Sequence, residues 1–210
     1  NECAYGEGEE FRIQHWVTRG GGISSSPVHT RGAHTVVIFT LPMDYSRFAK
    51  GYVDGVSAVV TGVRRIPAEC IEPRAKVGNK MNHIQAEFQA AEADAWAIML
   101  DTRGFVAEGP SYNCFFLRDG ELLTPQDHNC LTGVNLQYVF ELARELNIPV
   151  KRGDLTRYDL LTADEAFFTG NSICILPVSS VDGAQMVNGA PGPVTRRLMD
   201  LWARQGKCDW

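Results

Sequence analysis

Apolar and polar positions along this 210-residue chain change period several times, and each change marks an element. Phe11-Arg12-Ile13-Gln14-His15-Trp16-Val17 alternates with period two and predicts a strand. Residues 35–41 are apolar and β-branched, a second strand that Pro42 ends. Between them, Arg19-Gly20-Gly21-Gly22 and Ser24-Ser25-Ser26-Pro27 read as loop. Residues 44–51 read as a connection, which places a small unit over 1–50 and a larger one over 51–210.

The larger unit opens with a strand over 56–63, then a loop bracketed by Pro67 and Pro73 that delivers Lys76. Met81, Ile84, Phe88 and Ala91 recur at helical spacing in a stretch rich in Ala, Glu and Gln. Strands over 96–100 and 105–107 flank the turn Asp101-Thr102-Arg103-Gly104. Strands over 114–117 and 122–124 form a hairpin around Asp119-Gly120. A second helix over 135–146 has Leu136, Val139, Phe140, Ala143 and Leu146 on one face, and Asn147 and Pro149 stop it. A strand near Val150, a short helix over 158–161 and a strand over 166–169 follow. The strand over 175–181 turns at Asp182-Gly183, and a last helix spans 194–204. Mixed, partly hairpin-linked elements predict an α+β fold rather than a doubly wound sheet.

Composition narrows the function classes. The chain is 44% hydrophobic and 21% charged, ordinary for a globular protein. A net charge of −5 argues against nucleic acid or an anionic membrane as partner. No apolar run reaches the ~18 residues of a membrane span, and residues 1–10 lack the apolar core of a signal peptide. The six cysteines, at 3, 70, 114, 130, 174 and 208, form no C-x-x-C pair, and no H-E-x-x-H occurs. Neither a zinc site nor a disulfide framework is expected, and a reducing cytoplasm is. Cys114 and Cys174 lie in apolar runs and read as core.

Two charged residues carry the candidate chemistry. Lys76 lies in Ala75-Lys76-Val77-Gly78-Asn79, after a Pro-bounded loop rather than on a charged helix face. A lysine there is either solvated surface or a buried amine able to form a Schiff base. Glu108 opens Glu108-Gly109-Pro110-Ser111-Tyr112-Asn113, between the apolar runs 105–107 and 114–116. A carboxylate held between buried strands is costly without a partner. The protonated ring nitrogen of pyridoxal phosphate would be such a partner. Thr132-Gly133-Val134-Asn135 opens a helix, either as an amide cradle for an anion or as a plain start capped by Thr132. Thr169-Gly170-Asn171-Ser172 is a second small polar loop, either part of a phosphate cradle or a turn between strands. No P-loop and no dinucleotide fingerprint is present. His83 and His128 are either pocket-lining or structural.

The ordered set around these residues resembles the fold-type IV pyridoxal phosphate enzymes. They include branched-chain and D-amino acid aminotransferases, (R)-selective amine transaminases and aminodeoxychorismate lyases. The resemblance rests on Arg64-Arg65, Lys76 with Asn79, Leu100-Asp101-x-x-Gly104 and Glu108-Gly109-x-x-x-Asn113-x-Phe115. It continues through Asp119-Gly120, Thr124-Pro125, Leu131-x-Gly133, Glu141-Leu142-Ala143 and Ala163-Asp164-Glu165-x-Phe167. Thr169-Gly170, Pro177-Val178, Asp182-Gly183 and Gly192-Pro193-x-Thr195 complete it, in collinear order.

The resemblance implies a large cofactor-binding domain, the remnant of a small N-terminal α/β domain, and pyridoxal 5′-phosphate as cofactor. It implies that Lys76, rather than its competitor Lys80, is the Schiff-base lysine, and that Glu108 holds the pyridine nitrogen. Backbone amides at Gly133, Val134 and Asn135, with the Asn171–Ser172 loop, are implied to hold phosphate. Asn113 is implied to bind the cofactor, and Arg65 to lie at its edge or support the Lys76 loop. Gly109 and Tyr112 are assigned to the substrate pocket. The implied activity is amino transfer between an amino acid or amine and a 2-keto acid, branched-chain amino acids favoured, in a homodimer. A lyase acting on a chorismate-type substrate and a truncated, non-catalytic homologue are the alternatives. The chain departs from the family in reading Gly133-Val134-Asn135-Leu136 for Gly-Ile-Thr-Arg, and Asn171 for a phosphate-binding threonine. Family members are also expected to carry several dozen residues ahead of this start, including an arginine that grips the phosphate.

Overall fold

Strict alternation becomes strand pairing in the first of two units. The computed structural model describes residues 10–18, 20 and 33–206 and divides the chain into Asn1–Arg47 and Phe48–Trp210. In the first unit, β1 (Phe11–Thr18) and β2 (Thr35–Pro42) pair antiparallel in unbroken register, from Phe11↔Pro42 to Thr18↔Thr35. Trp16 meets Phe39 edge-on at 5.3 Å, a cross-strand aromatic contact of the kind that stabilises hairpins. Most of the loop expected over 19–27 lies outside the described residues, as do Cys3 and Cys208.

The second unit begins with a correction. Residues 44–51, expected to be a connection, enter a 3-10 turn at Ser46–Phe48 and then helix α1 (Ala49–Asp54). Tertiary contacts explain why local pattern missed it. Tyr52 is buried and its hydroxyl donates to the Ile173 carbonyl at 3.2 Å, while Phe48 packs against Trp96.

The remaining strands are β3 (Val56–Arg64), β4 (Trp96–Leu100), β5 (Asn113–Arg118), β6 (Glu121–Pro125), β7 (Val150–Gly153), β8 (Glu165–Gly170), β9 (Cys174–Val181) and β10 (Ala184–Gln185). They form one sheet in the order β4-β3-β9-β8-β5-β6-β7, with β10 paired to β9. Pairs β3/β4, β3/β9 and β6/β7 are parallel; β5/β6, β5/β8 and β8/β9 are antiparallel. This mixture is the α+β architecture that the hairpin signals predict. The Asp-Gly turns form as expected, with positive φ at Asp119 and Gly120 and at Asp182 and Gly183, the requirement of a tight hairpin turn. The return expected over 105–107 is a single bridge, Leu100↔Val106, with Ala107 N–H also donating to the Met99 carbonyl.

Helices α2 (Met81–Ala91), α3 (Val134–Glu145), α4 (Arg157–Leu161) and α5 (Pro193–Gly206) complete the unit. The core is aromatic at its centre: Phe115 and Phe167, cross-strand partners on β5 and β8, stack at 5.1 Å and are fully buried. Helix α3 buries Leu136, Val139, Leu142 and Ala143. The start of α5 is capped from the sheet: buried Glu165 accepts from the Val194 and Thr195 amides at 3.1 and 2.8 Å. Helix α2 buries His83, Ala86 and Ala90, and the two alanines pack with Val59, Val63, Ala97 and Met99. Its predicted apolar stripe instead faces out, with Met81 66%, Ile84 43% and Phe88 68% exposed. Cys114 is fully buried as expected, whereas Cys174 is only half-buried, at the positive-φ entry to β9. No helix among the described residues is long and apolar enough to cross a membrane.

Candidate functional site

Glu108 is the centre from which the site can be built. The segment leading to it runs beside β4, where Met99 N–H donates to the Glu108 carbonyl. Its carboxylate is therefore carried into the interior, where the residue is 4% exposed. Arg65 follows the end of β3 and continues along β4, its amide donating to the Leu100 carbonyl. Its guanidinium Nε donates to Glu108 Oε1 at 2.7 Å, a buried ion pair. The Leu131 amide donates to Glu108 Oε2 at 2.9 Å. Each carboxylate oxygen thus has one protein donor and retains acceptor capacity for a ligand. Burial pushes the Glu108 pKa up; Arg65, the Leu131 amide and Lys80 oppose it.

The Leu131 peptide is clamped on both sides. Asn113, buried at the start of β5, donates from Nδ2 to the Leu131 carbonyl at 2.8 Å. Gly133 then donates to the same carbonyl and becomes the N-cap of α3. It passes so close to Asn113 that an added Cβ would sit 2.5 Å from Oδ1. A side chain is therefore excluded where the helix begins. The cap is Gly133 and no side chain caps α3, so Thr132 does not play the capping part open to it. Val134 is 77% exposed, leaving the first amides of α3 accessible to an anion.

The second polar loop reaches the same place from another direction. Asn113 pairs with Thr169 across β5 and β8, and Ile173 closes the turn by donating to the Gly170 carbonyl. Gly170 lies against Ser111 and Tyr112. Asn171 is exposed and Ser172 half-buried on that turn. The two loops singled out as anion cradles therefore flank one segment, 111–113.

The lysines divide differently from expectation. Lys76 is exposed on the loop before α2. Lys80, the N-cap residue of α2, is half-buried; its Nζ lies 2.8 Å from His83 Nδ1 and donates to the Pro110 carbonyl at 3.3 Å. His83 is buried, and its pKa is pushed down to about 4, by burial first and then by Lys80 and Arg65. The Lys80–His83 contact is not evident from the sequence. Its only signal was the i, i+3 spacing that puts both on one helix face. His128 sits apart, its Nε2 3.0 Å from the Arg103 guanidinium.

Tyr112, assigned to the substrate pocket, lies in the packed interior instead. It is 8% exposed, its ring touches Trp96 and Phe168, and its hydroxyl donates to the Ala97 carbonyl at 2.9 Å. An aromatic at the start of a central strand is drawn to the core, which sequence adjacency to Glu108 does not reveal. Gly109 backs this ring and donates to the Tyr112 carbonyl at 2.9 Å. A solvent-open depression of about 570 Å³ lies at the other end of β5, bordered by Arg118, Glu121, Lys151 and Asp159, and contains none of the candidate residues. The buried polar network around Glu108 is the stronger indicator of a site, because burying such groups without use is costly.

The buried carboxylate, the uncapped helix start and the two lysines are groups able to bind a small anionic molecule and to offer it an amine. The comparisons make the class specific. The family model described as "Amino-transferase class IV" matches residues 2–181. A branched-chain-amino-acid aminotransferase of Salmonella typhimurium is 34% identical over 188 residues, 87% of this chain and 59% of its own length. The crystal structure of the Escherichia coli branched-chain amino acid aminotransferase superposes with a TM-score of 0.84 at 31% identity, covering 92% of this chain and 64% of that one. That of Thermobaculum terrenum, in its PLP-form, also gives 0.84, at 32% identity, covering 93% and 64%. The chain belongs to the class IV aminotransferase family. It spans about six-tenths of the length of these relatives.

Proposed function

We propose that this chain is the cofactor-binding part of a pyridoxal-phosphate-dependent aminotransferase that moves an amino group between an amino acid and a 2-keto acid. Branched-chain amino acids are the favoured substrates, by analogy with the relatives' names. The observation that carries the reading is the continuous network Arg65–Glu108–Leu131–Asn113–Gly133, in which Arg65, Glu108 and Asn113 are buried.

The donor set fits the cofactor. Glu108 offers a buried carboxylate with free acceptor capacity, suited to a protonated pyridine nitrogen. The uncapped start of α3 offers backbone amides, suited to a phosphate. When bound, the cofactor supplies an aldehyde for amine attachment and a ring that withdraws electrons. In this reading Lys76 is the attachment amine and moves a proton between the substrate Cα and cofactor C4′. Arg65 positions Glu108. Asn113 positions the Leu131–Gly133 segment. Val134, Asn135, Asn171 and Ser172 hold the phosphate, while Gly109 and Tyr112 support the wall behind the Glu108 loop. Val134, Asn135 and Asn171 retain backbone N–H groups for this part, since those survive any side-chain change except to proline.

The working form is proposed to be a homodimer in the cytoplasm. The exposed stripe Met81, Ile84 and Phe88 supports a covered face, and free thiols at Cys70, Cys114, Cys130 and Cys174 support a reducing compartment. Borohydride reduction of the protein incubated with pyridoxal phosphate, followed by peptide mapping, tests the core of the reading. The label is expected on Lys76 and lost in Lys76→Ala. Absence of any labelled lysine at this site would falsify the assignment.

A further inference from the structure

Lys80 is a half-buried cation without an acid. Its ammonium contacts His83 Nδ1 at 2.8 Å and the Pro110 carbonyl at 3.3 Å, both neutral acceptors. Among the described residues, no carboxylate lies within ion-pair distance of it. An ammonium has three donors, so two bonds leave one unused. Removing an ammonium from bulk water without a counter-charge is unfavourable, and the chain nevertheless fixes this one from two directions. One tether is a helix neighbour; the other is the backbone two residues beyond Glu108.

His83 completes the arrangement. Because an ammonium can only donate, Nδ1 must accept, which puts the ring proton on Nε2. That Nε2 is buried and has no hydrogen-bond partner among the described residues. A neutral histidine is thus held, at a cost, in the one tautomer that orients Lys80. Burial lowers the Lys80 pKa, Glu108 and Glu87 oppose this, and Lys76 and Arg65 reinforce it, so the amine stands within electrostatic range of both Glu108 and Lys76.

We propose that Lys80 is an anchoring cation of the site, whose free N–H holds an anionic oxygen of the bound cofactor or of the amino acid joined to it. His83 is its positioning residue. The proposal rests on the pyridoxal phosphate reading above and adds a residue that the collinear motif does not assign. Lys76 attaches; Lys80 anchors.

The test is a set of absorbance titrations with Lys80→Met, Lys80→Arg and the unaltered protein. Pyridoxal phosphate alone is titrated first, then leucine and 3-methylbutylamine, which lacks the carboxylate, are added to the loaded protein. If the anchored oxygen belongs to the cofactor, Lys80→Met weakens pyridoxal phosphate binding by roughly tenfold or more. If it is the substrate carboxylate, cofactor binding is retained, the leucine response weakens by a similar factor, and the amine response does not move. Lys80→Arg, which keeps the charge, shows neither loss, and Lys80→Gln serves as the neutral variant should Lys80→Met not fold. Equal binding of cofactor, leucine and amine by charged and neutral variants overturns the proposal. So does borohydride labelling of Lys80 in the unaltered protein, which would make it the attachment amine. Failure of the unaltered protein to take up pyridoxal phosphate at all would instead sink the underlying reading.

Discussion

Residues at this site differ less in type than in what surrounds them. Glu108 and Arg65 are buried together, and such a pair is held by Coulomb attraction against a desolvation cost of similar size. Its value to the protein is directional: it fixes a carboxylate beside the Leu131 amide. His83 gives a residue-scale prediction. Its pKa falls from 6.5 to about 4 because burial, Lys80, Arg65 and Lys76 all penalise the imidazolium, with the Pro110 backbone carbonyl opposing them. Between those values the unfolded chain binds more protons than the folded one, so stability rises with pH across that window. The His83 contribution is fully present above about pH 6.5 and is lost as pH falls toward about 4. Thermal melts from pH 7 to 4 should show a shallower acid-side decline in His83→Gln than in the parent. An unchanged slope would assign the decline to other groups.

Elements carry these residues into register, and here local pattern was a good guide. Alternation foretold β1, a β-branched apolar run foretold β2, Asp-Gly foretold both hairpin turns, and the apolar face of residues 136–146 foretold α3. The short helix α1 escaped because its stabilisation comes from distant partners, Ile173 and Trp96. Too few residues form α1 for propensity to reveal it. Helix α2 was legible as a helix but not as to which face it packs; small residues won because alanines let the helix approach β3 and β4 closely. The start of α3 gives the element-scale prediction. Gly133→Ala should cost about 1–3 kcal/mol in urea unfolding, the usual penalty of overpacking a fixed backbone, and should weaken phosphate binding. Combining it with Asn113→Ala should relieve the clash but not restore the clamp on Leu131, so stability recovers further than anion affinity. Full recovery of both would show that Asn113 has no positioning part.

For the whole molecule, the exposed apolar stripe of α2 is the clearest open question that solution measurement can answer. Ile84→Lys combined with Phe88→Lys removes apolar surface that contributes little to the folded monomer, so stability should change by no more than about 0.5 kcal/mol per site. The proposed homodimer should dissociate in sedimentation velocity, because a charge buried at an interface centre is poorly tolerated. A dimer that survives the double substitution would locate the interface elsewhere.

The sequence by itself determined the types and order of most elements, the α+β class and the family, because period, turn chemistry and collinear motifs are local and additive. It also singled out Glu108, Asn113, Gly133 and the 169–172 loop, which the fold brings close to one another. Tertiary structure alone decided that Lys80 rather than Lys76 is the amine packed beside the Glu108 loop, that Tyr112 turns into the core, and that His83 is kept neutral. These are properties of environment. Burial, hydrogen-bond partners and nearby charges come from residues such as Arg65, Ala97 and Pro110, whose proximity is set by strand pairing and not by spacing along the chain.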